Sequence, residues 1–121
     1  MDTPPTTPLP DALTQQRILG LDPQAAQQAG LGPTADPAEA WAWLAQWLQP
    51  RVEALLRGEF STLVQGLYRL DVPEAALQRA MAEPSLTEAA AALTQAILLR
   101  EQQRQQSRQA FRQQHPDATP E

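Results

Sequence analysis

From Leu86 to Gln114 the chain contains neither proline nor glycine, and this run constrains the fold more than any other feature. It opens on Ser85-Leu86-Thr87-Glu88, a capping box. Leu86, Ala90, Leu93 and Ile97 then recur at helical spacing, as on a helix buried along one side. Beyond Leu99 the same side is continued by Arg100, Arg104, Arg108 and Arg112, since a four-residue step drifts only ~40°. At 1.5 Å per residue the helix is about 43 Å long, more than a domain of this size can cover. The pattern therefore predicts a helix that starts in a core and ends as a projecting, arginine-rich arm.

The rest of the chain punctuates shorter helices. Residues 1–10 hold four prolines and three threonines and are expected to be disordered. Asp11 caps a short helix ended by Gly20, and Asp22-Pro23 starts another. Asp36-Pro37-Ala38-Glu39 is an N-cap, a proline at the first helical position and an acid at the third. Trp41, Leu44, Leu48, Val52 and Leu55 follow on one face up to Gly58, with a kink or break expected near Gln49 because of Pro50. A new helix from Glu59 carries Phe60, Leu63, Val64 and Leu67. Asp71-Val72-Pro73-Glu74 repeats the capping pattern and starts a helix that Glu83-Pro84 ends. No strand pattern and no internal repeat occurs. The expected fold is all-α, a small bundle of four or five helices with a long C-terminal helix that projects from it. The predicted core is Trp41, Leu44, Leu48, Phe60, Leu63, Val64, Leu67, Leu77, Met81, Leu93 and Ile97. The bundle spans 11–99, the arginine- and glutamine-rich extension 100–114, and a disordered tail 115–121.

Charge divides along the same line. Residues 1–99 carry 11 acids and 5 arginines, net −6, whereas residues 100–114 carry four arginines against Glu101, net +3. An acidic body and a basic arm favour contact between arm and body as well as with a partner. Without cysteine there is no disulfide, thiolate nucleophile or cysteine metal site. No apolar run is long enough to span a membrane, and Met1 to Pro10 does not read as a secretory signal, so a cytoplasmic location is expected.

Little in the sequence supports catalysis. The single histidine, His115, sits beside Pro116 in the tail, where nothing would hold a general base in reach of its proton. The closest carboxylate pairs, Asp36 with Glu39 and Asp71 with Glu74, fall at helix starts and are explained by capping. No catalytic, cofactor-binding or metal-binding residues are assigned. The candidate partner-binding residues are of three kinds. Trp43 and Trp47 lie roughly 120–160° around the helix from the Trp41–Leu48 stripe. They are either covered by the N-terminal segment or exposed as an aromatic anchor. Tyr68 and Arg69 sit at the edge of the face formed by Leu67 and Leu70, with Arg69 in a salt bridge or helix-end contact, or in a recognition patch. In the arm, Leu99, Arg100, Arg104, Arg108, Phe111 and Arg112 form a solvated extension, a self-association helix, or a phosphate-tracking surface. The leading reading is a non-enzymatic protein-interaction module that associates with a protein partner or with itself. The alternative is an RNA- or ribosome-associated factor, against which stand the acidic body and the single ring, Phe111, available for base stacking.

The segment Phe60-Ser-Thr-Leu63-Val64-Gln-Gly-Leu67-Tyr68-Arg69-Leu70-Asp71-Val72-Pro-Glu74 resembles one found in short helical proteins of Bacteroidetes. In those, a phenylalanine and a Leu-Val pair lead into Leu-Tyr-Arg, an aliphatic residue and Asp-Val-x-Glu. A second likeness lies in the aliphatic run followed by a charged, Gln-rich helix and a phenylalanine, here Ile97 to Phe111. Together they cover roughly residues 40–112. The resemblance implies the helical fold and carries no activity. This chain departs from it at Pro73, where serine is usual, and in the richer arginine content of its arm.

Overall fold

The computed structural model describes residues 8–27 and 36–114. Six helices are present among them and no strand: α1 (Ala12–Leu19), α2 (Pro23–Ala26), α3 (Pro37–Gly58), α4 (Phe60–Arg69), α5 (Glu74–Met81) and α6 (Leu86–Gln114). Four of the expected caps form. Asp11, Asp22, Asp36 and Ser85 accept the backbone N–H of Thr14, Ala25, Ala38 and Glu88 at 2.8–3.1 Å, each satisfying a donor that the first turn leaves free.

The long helices α3 and α6 make the main pairing of the bundle. Leu44, Leu48 and Val52 of α3 and Ala90, Leu93 and Ile97 of α6 are fully buried. α5 packs on α6 through small residues, Ala76 and Ala80, and α4 packs on α3.

α3 runs without a break from Pro37 to Gly58, through Pro50. Proline removes one helical N–H, and its ring crowds the carbonyls of the preceding turn. The carbonyl that loses its helical donor is that of Gln46; the Trp47 carbonyl beside it accepts a hydrogen bond from Arg51 Nη1 at 3.1 Å. The same guanidinium lies 4.8 Å from the centre of the Trp47 ring, so Arg51 folds back along the helix over Trp47.

Asp71 does not cap α5. It is the C′ residue of α4, with a left-handed φ of 56°. Val72 N–H bonds to the Leu67 carbonyl and Asp71 N–H to the Tyr68 carbonyl, at 3.0 and 3.1 Å. This is a Schellman motif, completed by burial of Leu67 and Val72. α5 starts after Pro73 without a side-chain cap.

Three residues expected in the core lie outside it: Phe60, Val64 and Met81 are 44, 38 and 44% exposed. α4 buries the rail Leu63, Gly66, Leu67. Phe60 and Val64 belong to the next rail, continued by Tyr68, which no further layer covers. At Gly66 a Cβ would stand 2.3 Å from Cδ2 of Leu21, so the missing side chain is what lets Leu21 dock against α4.

Candidate interaction surface

The buried side of α6 does not pass to arginine. Four-residue steps from Leu93 and Ile97 lead to Glu101 and Gln105, and both are fully buried. α1 packs on this half of the helix. Gln105 Oε1 accepts from Asp11 N at 2.9 Å and from Thr14 Oγ1 at 2.8 Å, while its Nε2 donates to the Leu9 carbonyl at 2.6 Å. Glu101 is paired with Arg17, whose Nε lies 2.9 Å and 3.2 Å from the two carboxylate oxygens. The same arginine donates through Nη2 to the Arg69 carbonyl at 3.1 Å, so α1, α4 and α6 meet at one side chain.

The arginines flank this buried rail. Arg108 Nη2 donates to the Asp11 carboxylate and to Thr14 Oγ1, each at 3.1 Å, and Arg104 forms a short ion pair with Asp71. Burial acts to raise the Asp11 pKa, but hydrogen bonds from the Thr14 backbone and side chain, then from Arg108 with its charge, hold it below the ordinary 3.8. Arg100 is half-buried and Arg112 exposed. α6 stands clear of the bundle only near its end, where Ala110 to Gln114 are exposed; its preceding turns are covered by α1. Pro8 to Pro10, grouped above with a disordered start, are engaged too: the Pro8 carbonyl accepts from Trp41 Nε1 at 2.7 Å, and Pro10 is buried. His115 and the tail lie outside the described residues, as do residues 1–7 and 28–35.

Trp43 and Trp47 are not an exposed anchor. Trp47 is 9% exposed, and Trp43 is half-buried against the same core cluster that receives Ile18, Leu19, Leu21, Ala25 and Ala26 from the N-terminal segment. The apolar groups left outside lie elsewhere. Tyr68 is 84% exposed, beside a cleft between α4 and α5 lined by Val64, Leu67, Val72, Leu77 and the carboxylates Asp71 and Glu74. Leu13 and Phe111, about half-exposed, border a hollow with Ser107 and Arg112 at the end of α6. Leu99 is exposed, whereas its neighbour Leu98 is buried.

Thr14, Arg17, Glu101 and Gln105 were not among the residues singled out from the sequence. The signal for Glu101 and Gln105 was the unbroken four-residue spacing Leu93, Ile97, Glu101, Gln105, masked by the change from apolar to polar side chains. Among the described residues no group of histidines or carboxylates is placed to hold a metal ion, and no helix is long and apolar enough to cross a membrane. Compared with known proteins, the chain matches no family model, no curated protein and no solved structure.

Proposed function

We propose that this chain is a non-enzymatic protein-interaction module that self-associates with α6 taking part. The observation that carries the reading is the apolar surface exposed on a small bundle: Leu99 on α6, and the Val64–Tyr68 rail beside the α4–α5 cleft. Such surface on a small domain favours contact with another protein. The charged groups are less available. The carboxylates of Asp11 and Glu101 are taken up by arginine within the fold.

RNA binding through the arm has weaker support. Arg104 and Arg108 already face Asp71 and Asp11, so a phosphate would have to displace them. Sedimentation velocity over a range of concentrations tests the reading, and a concentration-dependent dimer that persists at high salt is expected. A strict monomer whose affinity for RNA falls steeply between low and moderate salt would replace it with the nucleic-acid reading.

A further inference from the structure

The α4–α5 cleft is an apolar groove whose only charged lining residues are acids. α4 packs on α3 and α5 on α6, so each wall is held by a different helix and a gap stays open between them. Val64 lines one wall and Leu77 the other, above the buried Leu67 and Val72. Tyr68 stands at the rim, almost fully exposed. By helical spacing Phe60 and Met81, both exposed, prolong the two walls by one turn. The carboxylates of the cleft are Asp71 and Glu74, and no arginine lines it. Asp71 is paired with Arg104, whereas Glu74 is exposed and forms no ion pair among the described residues. The arginines of the two walls lie on other faces. Arg69 lines a hollow with Leu21 and Gly66 on the α1 side of α4, and Arg79 is two positions, about 200°, around α5 from Leu77.

This combination selects the occupant. A second copy meeting the cleft face to face would set carboxylate against carboxylate, which opposes association. The complementary surface is an apolar stripe flanked by cations. The described residues contain no strand, hence no sheet edge to which an extended peptide could add, and two helical walls with a gap between them suit a helix laid in a groove. We infer that the α4–α5 cleft binds a basic amphipathic helix of another protein. Its apolar side chains, at i, i+4 and i+7, enter between Val64 and Leu77, and an arginine or lysine on its flank meets Glu74. Tyr68 closes over the inserted stripe with its ring, as tyrosines do at the centre of protein contacts. The apolar groups supply the affinity, and the charge pair fixes the orientation. The inference rests on the reading of the chain as an interaction module and is independent of its self-association.

Fluorescence anisotropy with the full chain tests it, using labelled synthetic helical peptides that share a leucine stripe and carry either arginine or glutamate on its flanks. The arginine peptide is expected to bind at least about tenfold more tightly than the glutamate peptide, and than a scrambled arginine peptide of the same charge without the stripe. Tyr68→Ala and Glu74→Arg, both at exposed positions, should each weaken it by at least about tenfold, and Glu74→Arg should turn the preference toward the glutamate peptide. Far-UV circular dichroism checks that each variant remains helical. No binding of the arginine peptide, equal binding of the scrambled one, or binding indifferent to both substitutions overturns the inference. So does a dimer that Tyr68→Ala dissociates while the peptide fails to bind, which would give the cleft to a second copy. Sedimentation of the same samples separates the two readings. A monomer that binds the arginine peptide keeps the cleft and removes self-association, and a dimer that does not bind it keeps self-association and removes the cleft.

Discussion

The two halves of α6 are held by opposite means. The first lies against α3 through Leu93, Ile97 and Ala90, facing a core with Leu44, Leu48 and Val52. The second lies against α1 through Glu101 and Gln105, facing Thr14 and Arg17. Each large apolar side chain in the first seam contributes about 1.5–3 kcal/mol and demands no particular direction. In the second, each hydrogen bond contributes a net ~0.5–1.5 kcal/mol, and a buried group left without its partner costs more than that. The apolar seam therefore supplies most of the stability, and the polar seam decides where α1 sits. α1 itself brings only one fully buried apolar residue, Ile18, so it is the element expected to open first.

That contrast can be broken most directly in the apolar seam. Leu93→Ala should cost about 2–5 kcal/mol in denaturant unfolding, with the whole bundle destabilised together. A loss confined to α1 would contradict the assignment of stability to this seam. In the polar seam, Arg17→Ala leaves the Glu101 carboxylate buried without its partner, and a cost of ~1–3 kcal/mol is expected. Here the effect should be local, with faster amide exchange in α1 and unchanged protection around Leu48 and Leu93. Uniform loss of protection would mean that the two seams open as one.

Acid provides a gentler probe of the same difference. The Asp11 pKa is depressed in the folded state, so its stabilising contribution is present above 3.8 and is lost as pH falls below that value through the folded pKa. Amide exchange in α1 should accelerate over that range before the α3–α6 core responds, and simultaneous loss of both would argue against Asp11 as a latch. The smallest effect is expected at Thr94, fully buried on α6 with its hydroxyl unbonded among the described residues. Thr94→Val removes an unsatisfied polar atom at little change in shape and should raise stability by up to ~1 kcal/mol in thermal or denaturant unfolding. A clear loss would reveal a partner for that hydroxyl.

Helix class and most boundaries were legible because their causes are local, although six helices form where four or five were expected. Aspartate or serine before a first turn satisfies that turn's N–H groups wherever the helix later packs, and Gly20, Gly58 and Pro84 interrupt the pattern at or beside helix ends. The buried faces of α3 and of the first half of α6 were legible for a related reason, since apolar residues at helical spacing have one favourable destination. The Asp71 assignment failed because aspartate serves both helix ends. Which role it takes depended on Leu67 and Val72 closing the turn and on Arg104 lying opposite.

By itself, then, the chain determined an all-helical fold, four of its side-chain caps and the apolar faces that α3 and the first half of α6 bury. Tertiary structure alone decided the fate of the polar residues. A glutamate, a glutamine and a threonine are read as solvent-facing because burying them is unfavourable in isolation, and only the arrival of Arg17, Asp11 and the Leu9 carbonyl makes their burial tolerable. The rail of α6 continued as Glu101 and Gln105 for that reason. For the same reason Arg104 and Arg108, which look like a free basic arm along the sequence, are ion-paired with carboxylates more than thirty and ninety residues away.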